Sequence, residues 1–295
     1  MLYHSTRSST QWVDSAQAVL SGLAPDGGLY MPRNIPALDW ENVLKGTSQE
    51  ISAAILESLL PDIPDMPQLV ARAYTGKFET EDLTPTVAVG DLSVLELFRG
   101  PTSAFKDVAL SMLPQLLTAA KEEKGVKEDI LILTATSGDT GKAALVGFRD
   151  VPGVRICVFY PYGGVSQVQR AQMVTQEGNN VAVCAVRGNF DDAQTGVKQI
   201  FTAFQGKKLP FRLSSANSIN IGRLAPQVMY YFRAYKDLLA AGKIKLGDKV
   251  NFSVPTGNFG DILAGYLAKK MGLPVGTLIC ASNANNVLTD FIRTG

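Results

Sequence analysis

The stretch "DILILTATSGDTGKAALVGF" (129–148) holds an apolar β-prone run, a loop with two glycines, and a helix-forming run. It reads as strand, tight loop, helix. The loop invites comparison with a nucleotide-binding phosphate loop. Such a loop needs four residues between its first Gly and its Gly-Lys, followed by Ser or Thr to hold magnesium. Here two residues separate Gly138 from Gly141, and Ala143 follows Lys142. Spacing and chemistry both exclude the ATPase reading. The loop is nevertheless built to meet an anion, because a helix start presents unpaired N–H groups and the positive end of a dipole.

The same unit recurs outward from this point. "VRICVFY" precedes "SQVQRAQMVTQ", "VAVCAV" precedes "FDDAQTGVKQIFTAF", and "FRLSS" precedes a long helix through "LAPQVMYYFRAYKDLLAA". "KVNFSV" precedes "GDILAGYLAKKMG". Repeated strand–helix units predict an α/β fold with parallel sheets covered by helices on both faces. Ligands of such folds sit at strand carboxyl ends, beside helix N-termini. Upstream, "SAFKDVALSMLPQLLTAAKEEKG" predicts a helix kinked at Pro114, and "LTPTVAVGDLSVLELF" predicts strands. The first 84 residues read mainly as helices joined by proline turns, among them "QWVDSAQAVLSG", "SQEISAAILESLL" and "MPQLVARAY".

Composition narrows the function classes. Net charge is about +1 over 295 residues, so no nucleic-acid or membrane partner is expected. Cys157, Cys184 and Cys280 are scattered, which suggests a reducing compartment rather than a disulfide scaffold. The opening "MLYHSTRSSTQW" lacks a signal-peptide pattern, and no apolar run approaches membrane-spanning length, so a soluble cytoplasmic protein is expected. His4 is the single histidine, which removes histidine triads and His-rich metal sites. No metal centre is expected, and acid–base chemistry falls to Lys, Asp, Glu, Tyr or a cofactor.

A second loop, "PTGNFGD" (255–261), also follows a strand and opens a helix. Either loop alone reads equally well as an ordinary capped turn, with Asp139 and Asp261 as local cap residues. Two in one chain suggest a ligand with two anionic ends. Lys106 continues at helical spacing to Leu110, Leu113 and Leu117, on the apolar side of its helix. It either reaches out to water from the first turn or is a partly desolvated amine, nucleophilic towards carbonyls. "SSANSIN" (214–220) is either a capping loop or a neutral hydrogen-bonding surface offering Ser215, Asn217 and Asn220. Arg7, Lys142 and Arg223 are surface cations or anion partners, and Tyr160, Tyr162, Tyr230 and Tyr231 are expected in the core or in cleft walls.

"ELFRGPTSAFKD", "LTATSGDTGKAA", "SANSINIGR" and "VPTGNFGD" resemble, in order and spacing, the threonine synthase family, pyridoxal-phosphate (PLP) enzymes of fold type II. "APDGGLYMP" is similar to the family's opening segment. The resemblance implies a tryptophan synthase β-like fold in three parts. These are a helical region (1–84), a large PLP-binding domain (85–105 and 240–295) and a small α/β domain (106–239), with PLP in the cleft between the domains. It implies that Lys106 binds the PLP aldehyde covalently. Gly257, Asn258, Phe259, Gly260 and Asp261 would form or flank the PLP phosphate cradle, with Asp139 near the ring hydroxyl. Ser137, Gly138, Thr140 and Gly141 would hold the substrate carboxylate, with Ser215, Asn217, Asn220 and Arg223 as further substrate ligands. The implied reaction converts O-phospho-L-homoserine and water to L-threonine and phosphate. Another fold type II lyase acting on a phosphorylated amino acid, or a non-catalytic metabolite-binding relative, are the alternatives. Family members continue past the equivalent of Gly295, so the C-terminal part of the large domain, with a hydroxyl facing the PLP ring nitrogen, is expected to lie outside this sequence. Monomer and homodimer are both open.

Overall fold

The computed structural model describes residues 1–295 apart from Gln205, Thr256, Gly257 and Asn285. The N-terminal region differs from the helical expectation. Strands β1 (Leu2–Ser5) and β2 (Ser8–Asp14) form an antiparallel hairpin. After helix α1 (Ser15–Ser21), strand β3 (Tyr30–Pro32) returns beside β1, giving the order β2-β1-β3. The first strand alternates as a half-buried strand should, with Tyr3 and Ser5 buried and Leu2 and His4 not. Gln11 to Asp14 therefore end β2 rather than begin a helix. Asp14 sets the switch, since its carboxylate accepts from Gln17 N at 2.8 Å and caps α1. Helices α2 (Trp40–Val43), α3 (Ser48–Leu59) and α4 (Met66–Tyr74) complete the region. A capping box between Thr47 and Glu50 opens α3, which buries Ile51, Ile55, Leu56 and Leu59.

An antiparallel hairpin of β4 (Thr86–Val89) and β5 (Leu92–Leu95) follows. Helix α5 (Asp107–Glu123) then runs unbroken through Pro114. Next come β6 (Asp129–Ala135), α6 (Asp139–Phe148), β7 (Val154–Pro161), α7 (Gln167–Val174), β8 (Val181–Val186), α8 (Phe190–Phe204) and β9 (Phe211–Ser214). Their strands make one parallel sheet in the order β8-β7-β6-β9. Ile130, Ile132, Ile156 and Val158 fill one face with residues of α5 and α6, while Leu133 and Ala135 pack on Ala193 and Val197 of α8. This is the α/β layering expected of alternating units.

Pro114 explains the fit of α5 against α6. Proline has no N–H to offer the carbonyl four residues back, so Leu110 O loses its helical partner. That carbonyl points at Gly147, where an added Cβ would lie 2.0 Å from it. The two helices thus meet backbone to backbone at a residue with no side chain.

The last part runs α9 (Ile221–Leu224), a 3₁₀ turn (Ala225–Val228), α10 (Met229–Ala240), β10 (Val250–Pro255), α11 (Gly260–Lys270), β11 (Val275–Ala281) and α12 (Val287–Thr294). The expected continuous helix from Leu224 begins instead with the 3₁₀ turn, which contains Pro226. Strands β10 and β11 are parallel and form their own sheet. Tyr231 joins them to α10, its ring 4.9 Å from Phe252. The β4–β5 hairpin is tied to α10 through Thr86 N, which donates to Asp237 at 2.9 Å. No helix among the described residues is long and apolar enough to cross a membrane.

Candidate active site

Lys106 stands immediately before α5. The loop that delivers it, "GPTSAFKD" (100–107), is wound around the Asp107 carboxylate. That carboxylate accepts from Thr102 N at 2.8 Å and from Thr102 Oγ1 at 2.5 Å. A Cβ on Gly100 would lie 2.5 Å from Asp107, so the turn is closed on a buried acid. Ser103 takes the left-handed backbone region at φ 56°, a local strain that the loop sustains. Tyr230 OH donates to Phe105 O at 2.6 Å and fixes the loop from the far side.

The Lys106 side chain is 12% exposed. Its Nζ donates to Asp139 Oδ2 at 2.5 Å and lies 4.1 Å from the centre of the Phe105 ring. Burial draws the amine below the usual lysine range; the bond to Asp139 opposes that pull, the charge of Arg223 adds to it, and Asp261 opposes it. The apolar placement read from the sequence is therefore present, though the amine precedes the helix rather than lying within it.

The "TSGDTG" loop crosses from β6 to α6. Thr136 Oγ1 accepts from Gly138 N at 3.0 Å and from Gly141 N at 2.9 Å. Thr140 N is taken by the Asp139 carboxylate at 2.9 Å. Gly138, at φ 149°, lies under Gln169 of α7, and an added Cβ there would meet that side chain at 2.4 Å. The exposed Ser137 and half-exposed Asp139 face outward, while Thr140 and Gly141 are buried. Thr136 and Gln169 were not singled out from sequence; the Thr three residues before a loop aspartate was the available signal for the first.

From β9, Ser215 Oγ contacts Asn217 Oδ1 at 3.2 Å, and Asn217 Nδ2 donates to Ala135 O at 3.0 Å. This ties the "SSANSIN" loop to the end of β6. Asn220 is fully buried; its Nδ2 donates to Val19 O at 3.0 Å, and its Oδ1 accepts from Gly222 N at 2.8 Å. Both of its polar atoms are thus committed within the protein, which caps α9 and fixes Arg223. Arg223 is 3% exposed, donates through one terminal nitrogen to Ala216 O at 2.5 Å, and is drawn down to about 10 by burial. Its Nε has no hydrogen-bond partner among the described residues, and neither does Gln227 Oε1.

The "PTGNFGD" loop opens α11. Gly257 lies outside the described residues. Asn258 and Phe259 are exposed; Gly260 sits where an added Cβ would be 3.6 Å from Ser218 and 3.8 Å from Gln227 Nε2. Asp261 is buried, accepts from Ile262 N at 2.8 Å, and is raised chiefly by burial. Lys142 donates to Gln176 at 2.6 Å and the exposed Arg7 to Asp26 O at 3.0 Å, so both are tied to groups elsewhere. Tyr160, Tyr230 and Tyr231 are buried as expected, whereas Tyr162 is 68% exposed in the turn after β7.

The fold thus gathers the starts of α5, α6, α9 and α11 around one buried amine, one carboxylate and one buried guanidinium. The buried Arg223 Nε is a donor without a partner among the described residues, and with the Lys106 amine it fits a bound aldehyde carrying anionic groups. Asp139→Asn removes the carboxylate that keeps Lys106 protonated, while burial and Arg223 remain. The pH at which Lys106 becomes reactive is expected to fall. Following modification of the Lys106 peptide by an acylating reagent against pH, by mass spectrometry, measures it; an unmoved midpoint rules out control by the ion pair.

The architecture is that of an α/β enzyme of the PLP fold type II class. A family model described as "Threonine synthase N terminus" matches residues 2–74. A PLP-bound threonine synthase from Brucella melitensis superposes with TM-score 0.88 at 40% identity, covering 100% of this chain and 63% of that one. The Escherichia coli threonine synthase gives TM-score 0.86 at 35% identity, covering 100% of this chain and 67% of that one. Human threonine synthase-like 1 is 40% identical over 95% of this chain and 40% of its own length. The chain belongs to the threonine synthase family. It spans 40% to 64% of the length of the curated relatives it matches.

Proposed function

We propose that this chain carries the PLP site of a threonine synthase, converting O-phospho-L-homoserine and water to L-threonine and phosphate. The observation that carries the reading is the buried Lys106 amine, paired with Asp139 and sharing its field with Arg223. Membership of a family with a PLP-bound structure supports it. When bound, PLP supplies an electron sink for carbanion chemistry at the substrate. Lys106 would hold the cofactor aldehyde and, with its amine free again, would take the proton from the substrate α-carbon through Nζ. A chain whose one histidine, His4, lies in the N-terminal hairpin gives that proton-transfer work to the lysine. The same amine would take a β-carbon proton as the C–O bond to phosphate breaks at the γ-carbon, and would return a proton to the γ-carbon; water then adds its hydroxyl at the β-carbon and its remaining proton goes to the released phosphate.

Residues 257–261 hold the cofactor phosphate at the start of α11, with Gln227 beside Gly260. Ser137 and Thr140 would receive the substrate carboxylate, with Gly138 and Gly141 shaping the loop around it, and Asp139 would face the cofactor ring hydroxyl. Thr136 occupies the N–H groups of Gly138 and Gly141, so the hydroxyls of Ser137 and Thr140 would serve that task. Arg223 neutralises a substrate anion, and Ser215 and Asn217 orient it; the role of Asn220 is to position Arg223. The cleft lies between the 106–239 segment and the 85–105 and 240–295 segments.

The test is to supply the purified chain with PLP and O-phospho-L-homoserine and measure threonine and phosphate together. Equal amounts of both are expected. A 2-oxo acid with ammonia instead would assign a different fold type II lyase. Arg223→Met should keep the fold, because burying an apolar chain in place of a charge is tolerated. It should weaken substrate binding by about 1.5–3 kcal/mol, read as a raised KM. Unchanged KM would remove Arg223 from the substrate site.

A further inference from the structure

The proposed reaction uses none of the three cysteines, and two of them lie together. Cys157 on β7 and Cys184 on β8 have their sulfurs 3.7 Å apart. Cys184 is exposed and Cys157 is half-buried. The register pairs Cys157 with Ala182 and Phe159 with Cys184, so the two cysteines are diagonal neighbours that lean together. Helix α8 packs over β6 and β7 on this face, and Ala182 and Cys184 of the edge strand stay open to solvent.

A thiol pair can close into a disulfide or share a metal ion. In this parallel pair the strands lie about 4.8 Å apart and two residues rise about 6.6 Å, so diagonal Cα atoms stand roughly 8 Å apart. A disulfide needs Cα atoms within about 7 Å, so bridging would require the strands to shift. Two thiolates each about 2.3 Å from one tetrahedral ion stand roughly 3.8 Å apart, the separation of these sulfurs. Thiolates select soft ions. No group of three or more His, Cys, Asp or Glu that could hold a metal occurs among the described residues, so water or an external thiol completes the shell.

We propose that Cys157 and Cys184 form a two-thiolate site for a soft divalent ion of the zinc class, separate from the Lys106 site. As each metal–sulfur bond forms, the S–H bond breaks and its proton passes to solvent, with no change of oxidation state. Because binding releases protons, it tightens as pH rises.

Titration of the intact chain with cadmium, read by thiolate-to-metal ultraviolet absorbance, tests this. One ion per chain is expected, displaced by zinc and bound more tightly at higher pH. Cys184→Ser, a change at an exposed position that leaves the fold intact, should abolish the band; Cys280→Ser should keep it. A band that survives Cys184→Ser, or the absence of any saturable band, overturns the proposal. Complete conversion of the pair to an internal disulfide by oxidised glutathione also overturns it, because the register argument would then be wrong.

Discussion

Lys106→Ala will leave the protein unable to hold PLP covalently. Borohydride treatment of the wild-type chain with PLP should place one pyridoxyl group on the peptide that contains Lys106, and the variant should carry none. Imine formation needs an amine that is neutral part of the time and shielded from water. Lys106 meets both conditions, being 12% exposed and drawn down by burial. Lys142, the nearest rival in sequence to the glycine loop, is instead hydrogen-bonded to Gln176. Loss of the amine also removes the general base, so turnover should drop by at least about 10²–10⁴-fold. Lys106→Arg separates chemistry from folding, since it keeps a cation for Asp139 but cannot bond to an aldehyde. Equal labelling of another lysine in Lys106→Ala would place the cofactor elsewhere.

The second large effect is on stability. Gly147→Ala inserts a Cβ 2.0 Å from Leu110 O, a backbone atom that cannot rotate aside. Either α5 or α6 must move, at a cost of about 3 kcal/mol or more, the upper end of overpacking. Gly196→Ala on α8 is the control: its Cβ would meet nothing within 4 Å, so helix propensity should make it neutral or stabilising by about 0.5–1 kcal/mol. Urea midpoints of the two variants report the contrast. Because Lys106 precedes α5 and Asp139 opens α6, separating these helices should also weaken PLP capture. Equal stability of the two variants would mean that the close approach is not a constraint.

Much of this architecture was legible because most strands from 129 onward are mainly apolar runs bounded by turn residues, although β11, which carries Gly276 and Thr277, was not singled out. "DILILTA" and "VAVCAV" coincide with β6 and β8 to the residue. The two glycine loops and Lys106 were legible because their spacing states where helices begin. The N-terminal sheet was not, since its period-2 pattern is short and mixed with Ser and Thr that also suit caps and loops. The service residues were not either. Asn220 and Arg223 look alike as polar ligands in sequence, and only tertiary contact shows that the first is spent on Val19 O and Gly222 N. Thr136, Asp107 and Gln227 act through groups brought near by folding, which local pattern does not encode.

The ties that complete the site have a consequence in time. Asn220 reaches Val19 across 201 positions, Ser214 reaches Leu20 across 194, and Lys236 reaches Gly46 across 190. A chain made at about 5–20 residues per second leaves roughly 10–40 seconds between α1 and the asparagine that anchors it. Over that interval the apolar sides of α1 and α3 have not yet met their late partners. Such distant closures slow folding because loop entropy is lost before contacts form. The segment around α1 thus emerges well before it is secured, and its wait coincides with the greatest exposure of adhesive surface to chaperones and to other nascent chains.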